Sequence, residues 1–185
     1  GMKADFSGST VKKATGGSYL TPGIHKVRIT KTEYGLSSKK GTPLTRFFVE
    51  DERGGQQTFE LYWTDASASI STEKVFEMGV AILGGEEKTK SVLSNNSLEE
   101  LVDKMNTNLT NKFFRIKLNG EEVQSTKDPK VIFVSTQLGS GRFAESISVP
   151  EGESKLKYDP EKNIKRLTSN ETGVQSPVIS ENSYT

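Results

Sequence analysis

Between residues 24 and 136 the chain carries five short runs in which apolar and polar side chains alternate, and the stretch with helical spacing falls between the third run and the fourth. Alternation with a period of two marks a strand with one buried face. In the first run, residues 24–34, Val27 and Ile29 point one way and Lys26, Arg28, Thr30, Thr32 and Tyr34 the other. In the second, 44–50, Phe47 and Val49 oppose Arg46 and Phe48. The third, 58–64, reads TFELYWT, an aromatic composition that suits a pleated surface. In the fourth, 112–118, Phe114, Ile116 and Leu118 oppose Phe113, Arg115 and Lys117, and the fifth spans 130–136.

Turn chemistry divides the runs. Pro22-Gly23 precedes the first, and Gly54-Gly55 suits the positive φ of a two-residue hairpin between the second and third. Asn119-Gly120 gives the same signal after the fourth. Thr72 can cap a helix that runs to about Leu83, with Val75, Phe76, Gly79, Val80 and Ile82 on its apolar stripe and Gly84-Gly85 as its stop. After a linker, Ser97 and Glu100 have the spacing of a capping box that opens a second helix, ending near Met105.

Three strands, a helical insert and two strands predict a mainly β fold: a five-stranded OB-like Greek-key barrel with the insert between strands three and four. Hydrophobic residues are 32% of 185, enough for one modest core but not for a globule of the whole chain. Residues 1–22 therefore read as an N-terminal arm, 23–140 as the domain, and 141–185 as a C-terminal extension that orders only by docking on something.

Several kinds of chemistry are excluded by residue type. There is no cysteine, hence no disulfide, thiolate metal site or Cys nucleophile. The lone histidine, His25, falls in a strand, and no HExxH, GxSxG, Walker A or GxGxxG pattern occurs. The acidic pairs Glu86-Glu87, Glu99-Glu100 and Glu121-Glu122 are adjacent, so their side chains diverge rather than form an acid/base site. No enzyme activity, cofactor or metal is expected. No run of 18 apolar residues is present and the first residues lack a signal-type apolar segment, so neither a membrane span nor secretion is expected.

What remains is a basic and aromatic pattern. The net charge is +1, but residues 1–49 carry +7 and the remainder −6. The strand faces turned away from the core offer Lys26, Arg28, Tyr34, Arg46, Phe48, Tyr62, Phe113, Arg115 and Lys117, and the loop after the first strand adds Lys39 and Lys40. Aromatic faces stack bases and Lys/Arg track phosphates, the combination that holds single-stranded nucleic acid. A steep salt dependence is expected of such a surface. The plainer alternative is that exposed lysines keep strand edges soluble. Adjacent aromatics must also face opposite sides: a one-residue shift of register exchanges Phe47 with Phe48, Tyr62 with Trp63, and Phe113 with Phe114.

Four stretches resemble the phage-encoded single-stranded DNA-binding proteins of OB type, over roughly residues 18–137: YLTPGIHKVRI (19–29), KKGTP (39–43) before FFVED (47–51), LYW (61–63), and the late helix running into KFFRI (112–116). The resemblance implies sequence-tolerant binding of single-stranded DNA, or RNA, in support of replication or recombination in a host cytoplasm. Many such proteins end in an acidic recruiting tail, whereas residues 150–185 here are nearly neutral. That departure suggests docking of the tail on a neighbouring subunit, a homo-oligomer through the terminal arms. Two rivals stand beside this reading. One is a virion-type assembly protein that uses the barrel as scaffold and the arms as contacts. The other is a carbohydrate-binding barrel with Tyr62-Trp63 as its sugar platform.

Overall fold

The structure is a computed structural model that describes residues 2–7 and 19–167 and the backbone of 178–180; the expectations for the rest of the two arms, at residues 1, 8–18, 168–177 and 181–185, lie outside the described residues. The elements in chain order are β1 (Gly23–Leu36), β2 (Pro43–Asp51), β3 (Gln56–Tyr62), α1 (Ala68–Leu83), α2 (Glu86–Leu93), α3 (Leu98–Asn108), β4 (Phe113–Gln124), β5 (Val131–Leu138), β6 (Ala144–Glu145), α4 (Pro160–Asn163), β7 (Ile164–Lys165) and β8 (Val178–Ser180). The five runs of alternation correspond to β1–β5, and the helical insert lies between β3 and β4.

The fold is mainly β, but the sheet is open. Its main path is β3-β2-β1-β4-β5-β8, with β6 and β7 also pairing with β4. The two strands that would close a barrel, β3 and β5, do not pair. The chain ahead of β1 lies in this seam: Tyr19 bridges Gln56 of β3 in parallel, and the Leu20 carbonyl accepts from Thr136 Oγ1 of β5 at 2.9 Å.

One face of the sheet makes the core. Val27, Ile29, Phe47, Val49, Phe59, Leu61, Phe114, Ile116 and Leu118 pack against Val75, Met78 and Ala81 of α1, Leu101, Val102 and Met105 of α3, and Leu109. Full burial of one such side chain is worth about 1.5–3 kcal/mol, so the helical layer is held chiefly by this face. The end of α3 also completes β1. Where β4 no longer reaches, the Asn106 side chain stands in for a strand, accepting from the Thr32 N–H at 2.8 Å and donating to its carbonyl at 3.0 Å.

Several local expectations need correction. Asn119-Gly120 is not a turn. β4 runs through it to Gln124, with Asn119 opposite Gln137 and Gly120 opposite Thr136. The glycine is required by crowding: a Cβ there would come within 2.7 Å of Pro22 and 2.8 Å of Val134. The link between β2 and β3 is a longer turn built by Asp51, whose Oδ1 accepts from the N–H groups of Arg53 and Gly55, with only Gly54 at positive φ. α1 begins a turn earlier than Thr72, after Ser67, and the Thr72 hydroxyl donates to Ala68 inside the helix. The stretch read as a linker contains α2, which packs so closely that a Cβ on Gly79 would lie 2.5 Å from Thr89. Ser97 caps α3 as expected, by accepting from the Glu100 N–H, but the Glu100 carboxylate returns to the Asn96 N–H rather than to that of Ser97.

The segment after β5 docks on the domain. Phe143 and Leu156 are buried, β6 extends the sheet along β4, and β7 takes the other edge of β4 beyond the point where β1 ends. Residues 143–156 form a strap across one end of the sheet. Its start is held by α1, where Lys74 donates to the Gly139 carbonyl and Glu77 accepts from the Phe143 N–H.

Candidate nucleic-acid interface

Most of the sequence-identified residues fall on the sheet face opposite the core, and a bulge decides which of them do. Register along β1 and β2 shifts between Ile29 and Lys31. Thr30 is the extra residue, so alternation reverses beyond it. Lys26 and Arg28 lie on the outer face before the bulge, and Lys31 and Glu33 lie on it afterwards. Thr32 is buried against α3, and Tyr34, opposite Thr45, falls on the core-side parity. Tyr34 is exposed, but it is not on the face with Lys26 and Arg28, which corrects the simple alternation read from the sequence.

Phe48 and Phe113 stand half-buried on the outer face, while Phe47 and Phe114 are in the core. Each outer ring is flanked by cations from the neighbouring strand. The Lys31 ammonium lies 4.7 Å from the Phe48 centroid, and Lys26 Nζ and Arg28 Cζ lie 5.5 and 5.8 Å from that of Phe113. These are distances at which a cation is attracted to the ring face. Tyr62 is exposed on the same face at the end of β3, above the covered Leu44 opposite it. Its neighbour Trp63 turns inward, donating from Nε1 to Thr45 Oγ1 at 3.1 Å.

Most cations of the face already have a carboxylate. Lys26 pairs with Glu52 at 3.0 Å, Arg28 with Glu50 at 3.0 Å, and Lys31 with Glu33 at 2.7 Å. Arg46 holds Glu60 at 2.7 Å and Glu33 at 3.5 Å. The bond from Lys31, aided by Arg46, keeps the Glu33 carboxyl below its ordinary value, and the bond to Glu60 raises Arg46. Exposed pairs of this kind, across strands or, for Lys31 and Glu33, along β1, stabilise a sheet modestly, by about 0.2–1 kcal/mol each. They also leave the middle of the face close to neutral.

Arg115 is committed further. It pairs with Glu145 and donates to the Val149 carbonyl at 3.0 Å, and both partners of the ion pair are almost fully buried. Burial by itself pushes the Glu145 carboxyl up. The Ser154 hydroxyl, the Lys155 N–H and Arg115 outweigh that and hold it below its ordinary value. Arg115 is thus a fastening for the strap.

The remaining sequence-identified cations are different. Lys39 and Lys40 are exposed on the 37–42 loop at the tip of the β1–β2 hairpin, and Lys117 lies beside the Gly139 end of β5. Among the described residues none of these three has a carboxylate within ion-pairing distance. The loop is closed by backbone bonds between Ser37 and Thr42 and between Gly41 and Ser37, with Gly41 at positive φ, so both lysines are presented on a fixed turn.

Five contributors lay beyond what local sequence pattern can show. Lys31 reaches the face only because of the bulge. Glu50, Glu52 and Glu60 were visible as residues, but their cross-strand registers with cations were not. Glu145 lies in the extension expected to stand apart. Among the described residues no cluster of three His, Asp or Glu could hold a metal ion, and no helix is long and apolar enough to cross a membrane. The chain matches no protein-family model and no curated protein.

Proposed function

We propose that the protein is a non-catalytic, sequence-tolerant binder of single-stranded DNA, acting through the outer face of β1, β2, β3 and β4 and the 37–42 loop. One observation carries the reading: Phe48 and Phe113 stand partly open on a single sheet face, each bordered by cations, with the unpaired Lys39 and Lys40 at its end. Bases stack on the rings at about 1–3 kcal/mol each, and the loop lysines take phosphates. The order β3-β2-β1-β4-β5, with residues 19–20 lying between β3 and β5, supports our reading of the domain as an opened variant of the OB-type barrel. Support of replication or recombination in a host cytoplasm follows from the same reading.

Pairing within the face changes the expected salt dependence. Of the cations assigned to this face and its loop, Lys39, Lys40 and Lys117 are the ones that no carboxylate among the described residues already neutralises. At about 0.7 per phosphate on single strands the logarithmic salt slope should be near −2, not the steep value suggested by counting basic residues. Fluorescence anisotropy with a labelled poly-dT strand at several salt concentrations, beside a duplex control, tests both points. Single-strand binding with a shallow slope supports the reading. No retention at low salt removes it.

A further inference from the structure

An apolar groove opens on the opposite side of the molecule, between the three helices and the end of β3. Its volume is about 290 Å³ and it is lined by Trp63, Val75, Phe76, Leu93, Leu98 and Leu101. Nothing in the proposed interface uses it. The helical segment that builds it is acidic overall: residues 65–108 hold eight carboxylates and four lysines. The one lysine on its rim, Lys90, is paired with Glu87 at 3.5 Å, whereas Glu73 and Glu99, next in sequence to groove residues Thr72 and Leu98, are exposed.

The same chain carries a segment of complementary character. Residues 2–13 contain Lys3, Lys12 and Lys13 against one acid, Asp5, and their only aromatic, Phe6, is 75% exposed, with Met2 fully exposed. Phe6 lies thirteen positions before Tyr19, where the chain joins the body. At up to about 3.5 Å per residue they reach about 45 Å, comparable to the width of a domain of this size, about 40 Å. Among the described residues of one copy the two features do not meet: Phe6 is exposed and no residue of 2–7 lines the groove.

We propose that the groove receives Phe6 and its basic flank from a second copy of this chain. The contact joins unlike surfaces, so two copies close it by exchanging arms reciprocally, or a series of copies carries it onward. One aromatic anchor is far smaller than the interface a stable dimer needs. The contact is therefore weak between free molecules and gains when copies are held side by side.

Trp63 is the only tryptophan of the chain and reports the groove directly. A full-length Phe6→Ala chain is titrated with a synthetic peptide of residues 2–13 while Trp63 emission is followed. A saturable blue shift is expected, and the same peptide carrying Phe6→Ala should bind about thirtyfold more weakly, the loss typical of a hot-spot anchor. Thr72→Arg, an exposed substitution on the rim, should abolish the response while circular dichroism stays that of the parent. Sedimentation should show concentration-dependent association of the wild-type chain that Phe6→Ala lacks. An unchanged Trp63 spectrum at millimolar peptide, or equal responses to both peptides, overturns the proposal. So does a strictly monomeric wild type whose Trp63 emission is already blue-shifted relative to Phe6→Ala, because that means docking within one copy. None of these readouts depends on nucleic acid.

Discussion

Arg115 and the Lys39-Lys40 pair were equivalent in the sequence, as cations on surfaces turned away from the core, but they do opposite things in the fold. At the strap end, Arg115 is buried with Glu145, bonded to Val149 and covered by residues 143–156. At the hairpin tip, Lys39 and Lys40 are exposed and have no acidic partner among the described residues. Between them Lys26, Arg28, Lys31 and Arg46 are open to solvent yet paired. The contrast teaches that the nearest carboxylate, set by strand register, separates a cation left open at the surface from one that fastens the fold.

The largest effect should come from breaking the fastening. Arg115→Ala leaves Glu145 buried without its charge partner, which costs about 3–5 kcal/mol. Urea denaturation followed by circular dichroism measures it, and Arg115→Met combined with Glu145→Leu should recover most of the loss. The pH dependence has a definite sign. The folded-state carboxyl of Glu145 lies below its ordinary 4.5, so its contribution is complete above that value and is lost as pH falls through the lower folded value. Glu145→Gln should flatten this acid limb. If Arg115→Ala instead keeps full stability and loses single-strand affinity, the division between the two ends collapses.

Next come the rings. Phe113→Leu and Phe48→Leu keep apolar cover on the sheet while removing the π face. Each should weaken poly-dT binding by about 1–3 kcal/mol with a smaller change in melting temperature. Equal affinity for wild type and both variants would mean that the face does not stack bases, and the tip would then act by charge alone.

A charge effect confined to the tip is expected from Lys39→Glu with Lys40→Glu. Removing two phosphate contacts should make the logarithmic salt slope shallower by about 1.4 and cost about tenfold in affinity at low salt. Stability should hold within about 0.5 kcal/mol, as for exposed positions generally. The same reversal at Lys26 should change affinity less, because Glu52 already neutralises it. If Lys26 and Lys39 prove equally important, the ion pairs open on binding and the contrast between paired and unpaired cations carries no functional weight.

The strand arrangement was legible because alternation reports burial directly: Val27/Ile29, Phe47/Val49 and Phe114/Ile116/Leu118 are the buried sets the pattern named. Legibility failed where a non-local contact overrides a local preference. Asn119-Gly120 reads as a turn, yet its glycine answers Pro22 and Val134, residues distant in sequence. The bulge at Thr30 leaves no local mark, so the parity of Tyr34 was out of reach. The extension looked too polar to pack, since its anchoring depends on two charged groups, Glu145 and Glu122, whose partners Arg115 and Arg166 are far away in the chain. Cations could be found in the sequence, whereas their partners could not.

The converse of that contrast sits inside the sheet, and it gives the smallest expected effect. Gln57 is buried on the core side of β3 opposite Val49, and neither end of its amide has a hydrogen-bond partner among the described residues. A buried amide that makes no bond carries its desolvation cost without return, whereas an apolar group of similar size carries none. Gln57→Leu should therefore raise stability by about 1 kcal/mol, seen as a higher urea midpoint with an unchanged slope. Single-strand affinity should not move, because the side chain faces away from Phe48 and the loop lysines. A loss of affinity without loss of stability would place Gln57 within reach of the ligand and extend the proposed interface through the sheet.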